Sequence, residues 1–337
     1  MKNRIEWLDT AKGIGLLCVI LGHLSIPYLS TAIYFFHMPL FFFLSGFVYS
    51  GGKYSCKDYV LRKAKSLLIP YCTYGLIILV FYTILNSIVG VEHSLYGTTS
   101  EMLRNLLIQE HFWTIWFLTA LFLSEVIYYA IDKLCKENRK MITVVSVLLC
   151  ILGLLRYRLG YGSLPWNLDV ALIAQFFFHV GRMVKESRVI TLITTDFSKC
   201  KKMLCAIVTM CLCVVCGFAG IKISHGSLDM SVGLYGNEVL TFTSAFAGIF
   251  CVIIVSNLVK FSFCKYLGRN TMLIFALHSR VIIVACNLIY GYLGIFQNGS
   301  FTGQIFAAGV SFLIILAVTI PATELIKKFR VRRLFGV

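Results

Sequence analysis

The chain has 337 residues, of which 58% are hydrophobic and only 14% charged. Soluble domains carry about 25% charged residues, so the composition excludes an ordinary soluble protein and predicts an all-α integral membrane protein in a lipid bilayer. The net charge of +16 would suit a nucleic-acid partner, but the cations lie between apolar runs, as membrane topology requires, and no nucleic-acid partner is expected.

A membrane-crossing helix needs roughly 20 apolar residues. Ten such spans are predicted, near residues 11–29, 32–50, 67–90, 112–131, 141–159, 167–185, 203–222, 238–258, 269–290 and 303–326. The period-2 alternation of a membrane barrel is absent. The N-terminus runs into the first span without a small-residue cleavage site, and a single membrane domain over 1–337 with no appended soluble domain is expected. The 13 cysteines fall mostly inside apolar runs and read as small packing residues, the Cys213-Cys216 pair included.

The first span places Lys12 and His23 on one helix. Eleven residues return to within roughly 20° of the starting face and rise about 16 Å, so one stripe carries a cation near one membrane surface and an imidazole deep in the bilayer. Asp9 lies on much the same stripe. Ionisable groups at that depth are costly and mark functional sites. A neutral imidazole is a suitable general base; it also suits a polar contact to a neighbouring helix. The second span holds His37 just before Met38-Pro39, where the proline is expected to kink the helix. The third is preceded by YVLRKAKSLLIPY, with Arg62 and Lys65 three apart, Lys63 between them, and Pro70 in the expected first turn of the helix. Positive-inside topology alone yields such a cluster; together with Lys12 it also suits phosphate oxygens. The 16 Å from Lys12 to His23 matches the reach of an extended pantetheine arm from its nucleotide phosphates.

The outer loop 91–111 holds Glu92, His93, Glu101, Glu110 and His111 and is long enough to carry function. Trp113 reads as part of an aromatic belt, whereas Trp116 equally suits stacking on a sugar. The sixth span is interrupted by Asp169, Gln175 and His179. In the ninth, His278 falls at a depth comparable to His23 and His37, and Arg280 is the cation well inside a span, facing either a polar cavity or an ion-pair partner such as Glu125 or Glu238. The histidines lack the ligand spacing of a helical zinc site, so no metal is expected.

These residues resemble the acyltransferase-3 family of multi-pass membrane O-acyltransferases, which includes O-antigen and fucose O-acetylases. The resemblance rests on Lys12 and His23, on FFHMPLFFFLSGF, on Arg62 and Lys65 with LLIPY, on WFL from Trp116, and on LGRN followed by LH at His278. It implies a ten-helix membrane core of the cell (inner or plasma) membrane that moves acetyl groups from cytoplasmic acetyl-CoA to a hydroxyl of a cell-envelope or exported glycan. His23 would be the catalytic histidine with His37 beside it in the same chemistry, and Lys12 would support it or contact CoA. Arg62 and Lys65 occupy the place of the family's R-x-x-R, with Lys65 a departure, since an ammonium cannot make the bidentate contact of a guanidinium. Trp116, His278 and Arg280 are candidate acceptor-binding residues. The competing reading from another class is a transporter of glycan units or small metabolites, for which an inverted repeat would speak; none is apparent.

Charge distribution predicts the orientation. Of the 31 Lys and Arg, only Arg104, Arg156, Arg158 and Lys222 fall in outer segments and Arg280 within a span; the rest lie on the inner side if both termini are cytoplasmic. Reporter fusions after Val337 and within 50–66 are expected to read cytoplasm, and fusions within 91–111 the outside. An extracytoplasmic C-terminus would overturn this orientation.

Overall fold

A computed structural model describes residues 5–89, 97–109, 114–225, 229–259, 261–295 and 301–336. Glu92, His93, Glu110, His111 and Trp113 lie outside the described residues. The described residues are all-helical, and among them seven helical segments are long and apolar enough to cross a membrane: Leu29–Lys53, Cys56–Ile88, Arg139–Arg158, Lys199–Ser224, Glu238–Leu258, Thr271–Leu293 and Phe301–Lys327. The other expected spans are also helices, Glu6–His23, Trp116–Leu134 and Leu168–Glu186. Each carries at least three ionisable residues, which explains why apolarity alone does not mark them. All thirteen cysteines are free thiols.

In chain order the helices are α1 (Glu6–His23), α2 (Leu29–Tyr34), α3 (His37–Val48), α4 (Cys56–Val89), α5 (Thr99–Ile108), α6 (Trp116–Leu134), α7 (Arg139–Arg158), α8 (Leu168–Glu186), α9 (Val189–Thr191), α10 (Lys199–Ser224), α11 (Glu238–Leu258), α12 (Ser262–Arg269), α13 (Thr271–Leu277), α14 (Val284–Leu293) and α15 (Phe301–Lys327). A π turn, His278–Ile283, joins α13 to α14, and a 3₁₀ turn, Arg330–Phe335, follows α15.

Four expectations are corrected. The first helix ends at His23, not at 29. Pro39 does not kink a helix: α3 begins at His37, so the proline sits in its first turn, where no helical N–H partner is lost. The segment before the third span is helical from Cys56, which puts Pro70 in the interior of α4 rather than its first turn. The segment 269–290 is not one regular helix, because Asn270 leaves helical geometry (φ −127°, ψ 35°) and His278 opens the π turn.

The chain forms two compact units. Unit 1 comprises Met1–Ser55, Ile127–Gly162 and Asp169–Thr271, and unit 2 comprises Cys56–Val126, Ser163–Leu168 and Met272–Val337. Unit 1 contains two helix crossings at van der Waals contact of backbones. Where α1 meets α12, a Cβ on Gly13 would lie 2.0 Å from the Cys264 carbonyl oxygen, and one on Gly268 would lie 1.7 Å from that of Asp9. Where α3 meets α8, Gly46 and Gly181 stand against the carbonyls of Phe178 and Phe43 in the same reciprocal way. Small residues at such crossings let apolar helices gain dispersion contact where lipid offers no hydrophobic drive. In unit 2 the Tyr71 hydroxyl donates to the Leu106 carbonyl, and Trp166 Nε1 donates to that of Leu107 at 2.9 Å. These two donors satisfy carbonyls that the end of α5 leaves without intrahelical partners. At its other end α5 has a capping box between Thr98 and Glu101, and hydrogen bonds from Thr98 hold the Glu101 carboxyl below its usual range. Tyr74 donates to the Phe335 carbonyl at 2.9 Å, fixing the 3₁₀ turn on α4.

The reciprocal crossings make a quantitative expectation. Gly268→Ala should cost about 1–3 kcal/mol through overpacking and lower the melting temperature of the detergent-solubilised protein. Gly309→Ala, whose Cβ would meet nothing within 4 Å, should be neutral or slightly stabilising. Equal melting of the two variants would refute the close contact of α1 and α12.

Candidate active site

In unit 1 the α1 stripe divides by partner. Asp9, 5% exposed, accepts a hydrogen bond from Arg269 Nε at 2.8 Å, and Lys265 pairs with Glu6 at 2.5 Å. The acidic members of α1 are therefore engaged by α12, Asp9 by Arg269 of the LGRN segment and Glu6 by Lys265 just before it. Lys12 and His23 remain on one unbroken helix, both half-buried, about 16 Å apart along its axis.

After His23 the chain reverses through Ser25 and Tyr28, both with positive φ (55° and 61°). Ser30 Oγ accepts from the Ile26 amide at 2.9 Å and donates to the Leu21 carbonyl at 3.0 Å, tying α2 back to the end of α1. That reversal brings both His23 and His37 against Tyr34. The Tyr34 ring centroid lies 6.1 Å from that of His23 and 4.9 Å, edge-on, from that of His37. His23 Nδ1 donates to the Val19 carbonyl and His37 Nδ1 to the Ile33 carbonyl, both at 2.9 Å. A carbonyl only accepts, so each neutral ring is held with its proton on Nδ1 and its lone pair on Nε2. The two differ in access: His23 is half-buried, whereas His37 is 3% exposed. An imidazole held as His23 is can take a proton at Nε2 from a group that approaches it.

His179, also in unit 1, is engaged differently. Its Nδ1 meets the Tyr128 hydroxyl at 3.0 Å and its Nε2 the Thr143 hydroxyl at 2.8 Å, so both nitrogens serve packing. Nearby, Tyr49 donates to Asp132 at 3.0 Å, Arg139 pairs with Asp132 (3.4 Å) and Glu186 (2.8 Å), and Arg182 pairs with Glu186 at 2.8 Å. This network joins α3, α6, α7 and α8. Sequence reasoning counted its cations only as topology signals; spacing alone could have paired Arg182 with Glu186, four residues on.

Unit 2 contains the remaining candidates. Arg62 and Lys65 lie exposed on one face of α4. Lys63 is separated from them: it pairs with Glu125 at 2.6 Å, which the Tyr59 hydroxyl also donates to. Trp116 is 6% exposed; its carbonyl accepts from Thr119 Oγ1 at 2.8 Å. Ring contacts run from Trp116 to Phe117 (6.1 Å), Phe117 to Phe275 (5.6 Å) and Phe275 to His278 (6.4 Å). His278, fully buried, donates from Nδ1 to the Phe275 carbonyl at 2.8 Å, the tautomer seen in His23 and His37. Arg280 lies in the π turn that His278 opens, a local geometry that recurs at functional sites. Of the partners suggested for Arg280, Glu125 is engaged by Lys63, and Glu238 is held bidentately by Arg158, both bonds 2.6 Å.

A helical membrane protein with imidazoles on apolar helices suits a membrane enzyme or a transporter, and the family match places it with the acyltransferases. The chain is a member of the acyltransferase-3 family, whose acyltransferase domain model matches residues 5–322. It is 31% identical over 162 residues to nodulation protein NolL of Mesorhizobium japonicum, covering 43% of this chain and 39% of that protein. It is also 31% identical over 174 residues to nodulation protein NolL of Sinorhizobium fredii, covering 46% of each. The match thus spans less than half the length of these curated relatives. No solved structure matches the chain.

The engagement of Lys63 separates it from its neighbours experimentally. Lys63→Ala leaves Glu125 without its cation and should cost about 3 kcal/mol, read as a lower melting temperature of the solubilised protein. Arg62→Ala should stay within about 0.5 kcal/mol. Equal melting of both variants would remove Lys63 from the structural role.

Proposed function

We propose that the chain is a membrane O-acetyltransferase that moves an acetyl group from cytoplasmic acetyl-CoA to a hydroxyl of a cell-envelope or exported glycan. It works as one domain of about ten transmembrane helices in the cell membrane, with both termini cytoplasmic. Within the family assignment, the observation that carries the reading is His23: half-buried at the end of α1, one continuous helix above Lys12, with Nδ1 committed to Val19.

In the reaction, His23 Nε2 takes the proton of the acceptor hydroxyl as its oxygen attacks the thioester carbonyl. The tetrahedral intermediate collapses with cleavage of the carbon–sulfur bond. The CoA thiolate leaves and takes the proton from the imidazolium, so the products are the acetyl ester and CoA. Lys12, Arg62 and Lys65 hold donor phosphates, a task for cations, with Arg62 making the bidentate contact that Lys65 cannot. His37 is the second member of the histidine pair. Trp116, His278 and Arg280 contact the acceptor.

General-base help is worth about 10²–10⁴-fold in rate. His23→Ala should therefore abolish glycan acetylation, seen as lost acetyl signals in NMR spectra of envelope glycans, while expression and acetyl-CoA binding stay near wild type. Lys12→Ala and Arg62→Ala should weaken acetyl-CoA binding measured by calorimetry, most strongly at low salt where screening is least. Substantial acetylation by a well-expressed His23→Ala variant would overturn the assignment of the base.

A further inference from the structure

Tyr34 faces more than the two imidazoles. It also lines a small cavity of unit 1, of about 20 Å³, together with Phe177, Asp229, Tyr235, Thr241 and Phe242. That volume admits one water molecule or one hydroxyl group. Two polar groups of the cavity wall have capacity to spare. Tyr235 is 4% exposed, and among the described residues its hydroxyl has no hydrogen-bond partner. Buried polar groups are almost always satisfied, so such a group calls for an explanation. Asp229 accepts from the Ser231 amide (2.8 Å) and hydroxyl (2.6 Å), both at Oδ1. That leaves its other carboxylate oxygen without a hydrogen bond among the described residues.

The segment is built to hold these groups in place. Asp229 and Leu234 exchange backbone hydrogen bonds, 2.9 Å and 2.8 Å, around a turn closed by Gly233 at φ 73°. Thr241 Oγ1 donates to the Tyr235 carbonyl at 2.5 Å, fixing the tyrosine to the start of α11. A carboxylate that accepts, a phenol that donates or accepts, and aromatic walls from Phe177 and Phe242 form a donor-acceptor set suited to a sugar hydroxyl. Tyr34 both lines this cavity and contacts the imidazoles of His23 and His37.

We infer that this cavity is an acceptor subsite: it takes a hydroxyl of a glycan ring through Asp229 and Tyr235 while another hydroxyl of that glycan is presented to the histidine pair past Tyr34. The inference rests on the function proposed above. It assigns acceptor recognition to the 229–241 segment of unit 1.

The test uses full-length protein in membranes, labelled acetyl-CoA, and a titration of glycan extracted from cells lacking the enzyme. Asp229→Asn and Tyr235→Phe should each raise the half-saturating glycan concentration roughly tenfold or more. The half-saturating acetyl-CoA concentration and the rate at saturating glycan should stay within about twofold. Tyr235→Phe keeps the ring and its packing, so it tests the hydroxyl even where Asp229→Asn impairs folding. A purely structural Tyr235 would leave glycan saturation unchanged in the phenylalanine variant. Wild-type glycan saturation in both variants, with the parent enzyme active, overturns the subsite alone. A parent enzyme that labels no glycan overturns the proposed function and the subsite with it.

Discussion

An ionised side chain on a helix surrounded by apolar groups is tolerated only when another group of the protein meets it, and that requirement shapes this chain. Asp9 is met by Arg269, Glu125 by Lys63 and Tyr59, and Asp132 by Tyr49 and Arg139. The carboxylates of these pairs lie on α1 and α6, and a cation of the third group, Arg139, reaches on to Glu186 of α8. These are the three helices whose charge hides them from an apolarity criterion. Removing one partner of such a pair costs far more than the pair contributes, so the pairs act chiefly to dictate which helices must be neighbours.

The same logic separates the histidines. His179 uses both ring nitrogens on hydroxyls from α6 and α7, a polar contact between helices. His23, His37 and His278 instead turn Nδ1 back on the carbonyl one helical turn earlier. A back-bonded imidazole needs no neighbour to fix its tautomer. The sequence therefore specifies the proton position locally, and the fold has only to decide what reaches Nε2.

Much of this was legible in the sequence. Apolar runs locate the membrane helices, face arithmetic places Lys12 and His23 on one stripe, and the motif set identifies the family. Other features depend on contacts far apart in sequence and could not be read. Nothing near Asp9 announces Arg269, 260 residues away. Gly13 and Gly268 look like ordinary membrane glycines until each is seen against the other helix's backbone. Tyr34 carries no motif, yet its ring contacts two imidazoles. The local errors have local causes: α3 starts late enough to make Pro39 harmless, and α4 starts early enough to put Pro70 in its interior.

The bond from Tyr74 to the Phe335 carbonyl bridges 261 positions, and Gly336 lies against Pro70, an interior helix proline. During synthesis α4 is made early and then waits for residues 330–336 to leave the ribosome before this face is closed. Long-range closure of this kind is slow and leaves an incomplete surface standing meanwhile. A nascent chain halted before residue 330 would present a Tyr74 hydroxyl lacking its carbonyl on a face of α4 still to be closed.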